Sequence, residues 1–279
     1  MIQGQTIKAG CKVAIHWTKK MSREPGMAYV CLGRSECLED LYIVGDLDLE
    51  EVRCSSVALE ESQKLFKTFQ DKEEQQAQQL DSNWIFSYLN VRSLKKHLDD
   101  VLRHPLIMSS DLVAFGETWL LPDDNIDIDG FYSHLANFGH GKGVAVLSKE
   151  KANNVPFSLA SQSHSVVKTN IHGFDVIALY LSQNCDQQAV CNILDDIMDD
   201  EYPTVVFGDV NIDFNVNSVF KTFMIEKNFQ QLLTKPTSDG GSRIDHLYVS
   251  KKLHSMKISF QQNSVYFSDH DIISLFIEK

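Results

Sequence analysis

The sequence contains no apolar run as long as the roughly 18 residues that a membrane-spanning helix needs. Its first twenty residues scatter Lys8, Lys12, Lys19 and Lys20 among polar groups, so they lack the apolar core of a signal peptide. These two absences exclude a transmembrane helix and a typical secretion signal. They predict a soluble, intracellular protein that is not secreted and has no membrane partner.

Closely paired cysteines and an excess of positive charge are also absent. None of the six cysteines forms a CxxC pair, which predicts reduced thiols rather than a zinc ribbon or a disulfide scaffold. The 26 Lys and Arg residues face 38 Asp and Glu residues, for a formal net charge of −12. Broad phosphate neutralisation therefore cannot be the only means of holding a nucleic acid, and a polyanionic substrate would require local cations or a bound metal.

Three parts follow one another along the chain. Residues 1–52 contain short apolar runs separated by turns, which predict short strands. Residues 53–82 start with apolar residues at helical spacing and continue into the polar stretch DKEEQQAQQ, which predicts a helical linker and a domain boundary near Asp81. Residues 83–279 form the third part. The apolar runs of the first part are residues 13–15, 28–32 and 41–44.

In the third part, apolar strand candidates alternate with helical stretches, which is typical of layered α/β proteins. The candidate strands are WIFSYL, DLVAFG, GVAVLS, SVVKTNI, DVIALYL, TVVFG, DHLYVS, MKISF and IISLFI. Three helices are predicted from apolar faces formed by Leu94, Leu98, Val101 and Leu102; by Val190, Ile193, Leu194, Ile197 and Met198; and by Phe220, Phe223, Met224 and Phe229.

Several of these strands end in polar side chains. A single carboxylate or amide at a strand end is most often a turn former or a helix cap. Five such ends are harder to explain in that way, because strand ends of one sheet system converge and ligands of α/β folds gather at these edges. The residues are Asn90, Glu117, Asp209 with Asn211, Asp245 with His246, and Asp269 with His270.

Carboxylates that lie close together repel one another unless something positive lies among them. A divalent cation with oxygen ligands is the simplest candidate, and the neighbouring imidazole of His270 offers a proton donor or a positive partner for phosphate. Metal-assisted hydrolysis of a phosphodiester is the reaction class that best fits this set of groups.

The motifs SYLNVRSL, FGETWL, GDVNID, SRIDHLYVS and SDHD resemble, in order and type, those of the endonuclease/exonuclease/phosphatase superfamily. This superfamily includes apurinic/apyrimidinic endonucleases and the endonucleases of LINE-type retrotransposons. The resemblance covers residues 83–279. It implies an α/β fold in which two β-sheets form a sandwich flanked by helices, in four layers α/β/β/α.

The resemblance also implies a role for each matching residue. Glu117 would be the main metal carboxylate, with Asn90 holding metal or phosphate and Asp269 completing the metal shell. Asp209 would orient and deprotonate the attacking water. Asn211 would stabilise the pentacovalent phosphate. Asp245 would orient His270, and His270 would bind the scissile phosphate. The implied cofactor is Mg²⁺, with Mn²⁺ as a substitute.

Two positions depart from the family pattern. Many members carry an acid where this chain has Arg92, so one metal contact is in doubt and a phosphate contact by Arg92 is possible instead. Members often show Tyr-Arg-Pro-Pro where this chain has Tyr180 followed by Leu-Ser-Gln. Tyr180 either contacts the phosphate or simply ends its strand, and the two interpretations are equally open.

Other polar residues are interpreted as structural. Asp213 is predicted to cap the following helix rather than to act in catalysis. His134, His140 and His246 are predicted to be structural or surface groups. Gly139, Gly141 and Gly143 indicate a hairpin turn rather than a phosphate-binding loop, because no helical pattern follows them.

Residues 1–52 contain IQGQT and AYVCLGRSECLEDLYIV, which resemble the last motifs of superfamily-one DNA helicases of the Pif type. The resemblance implies a small α/β helicase-tail fragment in which Arg34 is an arginine finger. The chain lacks a GxxxxGK[ST] sequence, so we expect neither ATPase nor unwinding activity from it alone. A helicase tail joined to such a nuclease resembles the proteins of Helitron-type transposons, and the start within a motif suggests a truncated element.

The leading hypothesis is a metal-dependent endonuclease that nicks DNA for a mobile element. Its expected partners are DNA and the missing helicase portion, and its expected compartment is the nucleus or else the cytoplasm. A second hypothesis keeps the fold but changes the substrate to RNA or a small phosphodiester, which the net charge of −12 leaves open. A third is a non-catalytic transposon remnant or a DNA-binding accessory protein.

Overall fold

The computed structural model describes residues 13–18, 41–45 and 82–279 of the chain. The chain divides into two compact units, Met1–Ala77 and Gln78–Lys279. In the first unit, β1 (Val13–His16) and β2 (Leu41–Val44) pair in parallel, which confirms two of the short strands predicted there. The helicase-like motifs with Arg34, and the predicted linker up to residue 81, lie outside the described residues.

The second unit contains two six-stranded sheets. The strands of the first sheet are β3 (Asn83–Asn90), β4 (Leu112–Gly116), β5 (Tyr132–Ala136), β6 (Val144–Ser148), β13 (Ile258–Asn263) and β14 (Ile272–Glu278). The strands of the second sheet are β7 (Phe157–Ala160), β8 (His164–Ile171), β9 (Phe174–Leu181), β10 (Thr204–Asp209), β11 (Phe229–Gln231) and β12 (Asp245–Ser250). The spatial orders are β13-β14-β3-β4-β6-β5 and β11-β12-β10-β9-β8-β7.

Helices cover the outer faces of both sheets. They are α1 (Leu98–Arg103), α2 (Pro105–Ser109), α3 (Gln187–Ile197) and α4 (Val219–Glu226), with a 3₁₀ turn at Lys251–Ser255. Val101 of α1 and Ile107 of α2 pack against the first sheet, whereas Leu194 of α3 and Phe220 of α4 pack against the second. No helix among the described residues is both long enough and apolar enough to cross a membrane.

A third apolar cluster fills the space between the two sheets. In β3, Phe86 and Tyr88 point into this space, while Leu89 points to the helical side, as the two-residue period of a strand requires. The second sheet contributes Val205 and Phe207 of β10 in the same way. The layers are therefore α/β/β/α, and the predicted fold class of the unit is confirmed.

All nine strand candidates of the third part are strands in the structure, but three further strands escaped prediction. These are β5, β7 and β11, each of which lies at or beside a sheet edge and is only partly buried, so its apolar pattern is weak. Phe229, predicted in a helix, begins β11 instead, because α4 ends at Glu226 and Asn228 takes a left-handed conformation with φ of 60°. The first helix starts at Leu98 rather than near Leu94.

Candidate active site

Four polar residues continue the rows of side chains that fill the space between the sheets. Asn90 follows Phe86 and Tyr88 at the two-residue spacing of β3. In the second sheet, Asp209 is aligned with Tyr180 of β9 on one side and with Asp245 of β12 on the other. The site therefore lies at one end of the core between the sheets, where each strand replaces its next apolar residue with a polar one.

The amide of Asn90 connects the two sheets. Its Nδ2 donates to Oε1 of Glu117 at 3.1 Å and to Oδ2 of Asp209 at 2.9 Å. Its Oδ1 accepts from the backbone nitrogen of Arg92 at 3.3 Å. Since Asn90 is fully buried, these contacts fix the amide orientation, and one neutral side chain holds two carboxylates near each other.

The buried pair of Asp245 and His270 lies beside Asp209. Nδ1 of His270 donates to Oδ2 of Asp245 at 2.7 Å. Burial lowers the pKa of His270, but the hydrogen bond and charge of Asp245, with the charges of Asp209 and Asp269, outweigh burial and raise the pKa to about 9. His270 is therefore an imidazolium at neutral pH.

The surroundings of Asp209 are unfavourable for a negative charge. Burial, followed by repulsion from Asp245, raises the pKa of Asp209 to about 8, although His270 and two hydrogen bonds oppose the shift. The hydrogen bonds come from Asn90 and from the backbone nitrogen of Asn211, which donates to Oδ1 at 2.8 Å. The hydrogen bonds thus orient the carboxylate of Asp209, but nearby positive charge does not fully compensate its negative charge.

Tyr180 and Asn211 lie on the same side of Asp209. Burial, reinforced by the charges of Glu117 and Asp209, raises the pKa of the Tyr180 hydroxyl, which keeps its proton at neutral pH. Nδ2 of Asn211 donates to the carbonyl of Leu181 at 2.8 Å. Asn211 has a φ of 54°, a conformation that non-glycine residues rarely adopt and that is frequent at functional sites. Tyr180 lies near the end of β9 and beside Asp209, and both interpretations of its role stay predictions.

Arg92 and Asp269 form an ion pair at the exposed side of the site, with 2.8 Å between Nη1 and Oδ2. The side chain of Arg92 is half exposed. Asp269, predicted as a metal ligand, therefore shares its charge with Arg92, and Arg92 lies where it could meet a phosphate.

The donor set fits a divalent cation. Within residues 82–279, Oδ1 of Asp245 and Oδ1 of Asp269 are buried and have no hydrogen-bond partner. Among the described residues, ligand atoms of Asp209, Asp245 and His270 lie within 4.8 Å of one another, a different set from the predicted ligands Glu117, Asn90 and Asp269. Because His270 is an imidazolium that donates to Asp245, its ring does not ligate a cation in this state. Carboxylate oxygens without donors, beside Asp209, whose pKa is raised by burial and by repulsion from Asp245, form an environment that a hard cation would stabilise.

Several residues that were predicted to have structural roles contact the backbone or lie in a turn. Asp213 accepts hydrogen bonds from the backbone nitrogens of Asn215 and Arg243, whereas Ser218 is the residue that caps α4, so the predicted cap was wrong. Burial lowers the pKa of His246 to about 4, and its ring nitrogen contacts the carbonyl of Ile212. The three glycines lie in the turn that joins β5 to β6, which confirms the hairpin.

Three residues that support the site were missed at the level of sequence. The hydroxyl of Tyr88 accepts from the backbone nitrogen of Asp209 at 2.9 Å. Thr237 accepts from the backbone nitrogen of Asp245, and Ser268 donates to the carbonyl of Asn90 at 2.6 Å. Only Tyr88 had a readable signal, because the hydroxyl of a tyrosine in the middle of a buried strand usually has a hydrogen-bond partner.

The chain is similar to known proteins over the unit that contains this site. Residues 87–270 match the model of the Endonuclease/Exonuclease/phosphatase family. None of the curated proteins matches the sequence.

Solved structures share the fold at low identity. An AP endonuclease from Archaeoglobus fulgidus is 17% identical, with a TM-score of 0.59 over 70% of this chain and 100% of that chain. The 3′ phosphatase NExo from Neisseria, bound to a product DNA hairpin, is 16% identical, with a TM-score of 0.60 over 70% and 100%. The endonuclease domain of TRAS1, a telomere-specific non-LTR retrotransposon, is 12% identical, with a TM-score of 0.53 over 70% and 98%.

Proposed function

This chain belongs to the Endonuclease/Exonuclease/phosphatase family, and from that premise we propose that it is a metal-dependent phosphodiesterase that nicks DNA. The observation that carries the proposal is the Asn90 amide, which joins the carboxylates of Glu117 and Asp209 beside the imidazolium of His270. The two carboxylates and the imidazolium of His270 together form a site for a negatively charged group and the water that attacks it.

In the proposed reaction, Asp209 orients a water molecule and accepts its proton. The hydrogen bonds from Asn90 and Asn211 aim the carboxylate and favour its ionised form. As the water oxygen forms a bond to phosphorus, the bond from phosphorus to the leaving oxygen breaks. Because Asp209 comes from one sheet and Asn90 from the other, the sandwich holds the base at a fixed position relative to the phosphate.

His270 stabilises the charge that develops on the phosphate. Its Nδ1 is bonded to Asp245, so Nε2 is the nitrogen available to a phosphate oxygen. Asn211 and the Tyr180 hydroxyl, which both lie beside Asp209, offer further donors to the same group. Arg92 offers a cation to a phosphate at the exposed side of the site.

Glu117, Asn90 and Asp269 would hold the divalent cation, Mg²⁺ or Mn²⁺, and the unpartnered Oδ1 of Asp269 within the described residues suits this role. When bound, the cation supplies positive charge to the phosphate oxygens. Its charge would also lower the pKa of Asp209, which is about 8 without it, and would keep this base ionised at neutral pH.

DNA is the proposed substrate because the similar structures include an AP endonuclease, a phosphatase bound to a DNA hairpin and a retrotransposon endonuclease domain. A mobile-element origin, a helicase portion as partner and a nuclear location belong to the same proposal. The net charge of −12 favours a second candidate, a small phosphodiester, which needs no basic surface to be bound.

The test is nicking of supercoiled plasmid by the full chain in Mg²⁺ and in chelator. We expect Mg²⁺-dependent nicking that falls at least about 100-fold in Asp209→Asn and in His270→Ala. Asp129→Asn is the matched control, because this exposed carboxylate precedes β5 at the end opposite the site. Nicking that neither site substitution affects would refute the assigned roles. Inactivity on DNA with hydrolysis of a small phosphodiester would favour the second candidate.

A further inference from the structure

Three chain segments meet on the Glu117 side of the site. The backbone nitrogen of Ser93 donates to the carbonyl of Glu117 at 2.9 Å, and Leu94 donates to Thr118 at 3.0 Å. On the other side, Trp119 donates to the carbonyl of Lys142 at 2.9 Å. The hairpin turn between β5 and β6 is therefore attached directly to the segment that carries Glu117.

The segment is bent so that two large side chains reach the same surface. Glu117 has a φ of 47° and Trp119 a φ of 58°, and both values are unusual for residues with large side chains. The indole nitrogen of Trp119 donates to Oε2 of Glu117 at 3.4 Å. Gly143, at φ of 95°, lets the turn approach, since a Cβ there would lie 2.5 Å from Oγ1 of Thr118. In this bent segment the side chains of Trp119 and Glu117 are in contact.

The hairpin turn adds aromatic and cationic side chains on the side of Trp119, and His140 is the one in contact with the Trp119 ring. The ring of His140 lies 3.9 Å from the ring of Trp119, centroid to centroid. Nζ of Lys142 lies 4.9 Å from the centre of the Phe138 ring. Phe138 is 38% exposed and His140 is also exposed. We name this set, Trp119, Phe138, His140 and Lys142, the aromatic rim.

We propose that the aromatic rim binds a nucleobase of the substrate strand, unstacked from its neighbours, next to the scissile phosphate. This inference rests on the proposed function and adds the means by which the strand is held. Exposed aromatic rings beside a lysine suit a nucleotide, because the base stacks on the rings and the cation meets the backbone. The strand can be held there despite the net charge of −12, since stacking needs no broad basic surface.

The position of the rim favours a nucleobase over another occupant. Trp119 contacts Glu117, which shares the Asn90 amide with Asp209, so only two hydrogen-bonded side chains separate the rim from the proposed base. A nucleotide whose phosphate reaches Asp209 thus has its own or the next base within reach of the rim. Lys142 adds a positive charge to the rim that suits a nucleic-acid strand.

The experiment measures binding of a labelled single-stranded oligothymidylate to the full chain carrying Asp209→Asn, with Mg²⁺ present so that binding is separated from cleavage. The rim variants, made in this background, are His140→Ala and Phe138→Ala. Tyr132→Ala is the matched control, since this aromatic residue is 51% exposed at the far end of β5. A second probe has the same sugar–phosphate backbone but no bases.

We expect each rim variant to weaken binding of the oligothymidylate about tenfold, as the loss of one base-stacking contact does. Binding of the probe without bases should not change, and Tyr132→Ala should bind both probes as the parent does. Equal weakening of both probes would overturn the inference in favour of a backbone contact. Unchanged binding in the rim variants, or a parent that binds neither probe, would also overturn it.

The same measurements separate this inference from the proposed function. A chain that loses base-dependent binding in the rim variants, but whose native form cuts no DNA in Mg²⁺, would retain the inference and contradict the proposed endonuclease. If the native chain nicks plasmid, and the rim variants nick and bind as their parents do, the proposed endonuclease is retained and this inference is contradicted.

Discussion

Nδ1 of His270 lies 2.7 Å from Oδ2 of Asp245, and both side chains are buried, although the two residues are 25 positions apart. A turn that contains Thr237 and Ser238 holds both ends of this contact. Thr237 accepts from the backbone nitrogen of Asp245, and Ser238 forms a β-bridge with His270. The pair is therefore held by backbone geometry, and the negative charge of Asp245 keeps the imidazole protonated.

Asp245→Asn should lower the pKa of His270. Burial, already the largest single effect, is then opposed only by the charges of Asp209 and Asp269, so we expect the pKa of His270 to fall below about 9. Titration of the histidine ring signals by NMR measures this shift. His246 is the internal control, because its pKa of about 4 is set mainly by burial and should not change. A His270 pKa that stays near 9 would contradict the assigned cause.

The melting temperature of the metal-free chain should fall as pH rises above about 6.5, where the lowered pKa of His246 no longer acts in the opposite direction. Asp209 has a folded-state pKa of about 8 against an ordinary 3.8, so the folded chain retains a proton that the unfolded chain has lost, and stability decreases across this range. His270 stabilises the fold fully below 6.5, and this contribution is lost as pH rises through about 9. Both effects have the same sign.

Thermal denaturation in chelator at several pH values measures this slope. In Asp209→Asn the fall above 6.5 should be shallower than in the native chain, because the contribution of Asp209 is lost and that of His270 remains. An equal slope in the variant and the native chain would show that Asp209 has an ordinary pKa.

Tyr88→Phe should destabilise the chain by about 1–3 kcal/mol, because the buried backbone nitrogen of Asp209 loses its acceptor. Nicking activity should also fall, since Asp209 is then positioned less firmly. Tyr248→Phe is a matched control: Tyr248 is equally buried, and its hydroxyl has no hydrogen-bond partner within residues 82–279. Denaturant unfolding of the two variants provides the comparison, and equal losses would argue against a special role for Tyr88.

Asn90→Asp should make stability more dependent on divalent cations. A third carboxylate between Glu117 and Asp209 adds repulsion in chelator, so the melting temperature falls below that of the native chain. Saturating Mg²⁺ should recover more stability in this variant than in the native chain. For the native chain, a Mg²⁺ concentration one hundred times its Kd adds about 2.7 kcal/mol to the free energy of unfolding. Asn90→Ala, which removes the amide without adding charge, should show no such additional gain. Equal gains in Asn90→Asp and Asn90→Ala would count against a cation at this position.

Much of the fold could be predicted because its central strands are apolar throughout. β4, β6, β9 and β10 are buried along their whole length, and each contains a run of at least four consecutive residues without a polar side chain. The edge strand β7 and the short strand β11 could not be predicted, since their partly exposed residues need a neighbouring strand to become ordered. Phe229 shows the limit, because its helical spacing did not reveal where α4 ends.

The sequence by itself determined which residue types stand at the strand ends, since the carboxylates, amides and imidazole follow apolar runs that can be read directly. Only the tertiary structure decided how they meet. Asn90 contacts Asp209 across 119 positions of chain, and Tyr88 supports the same residue across 121. The physical reason is that sheet pairing and sandwich packing set these distances, and neither leaves a local pattern in the sequence.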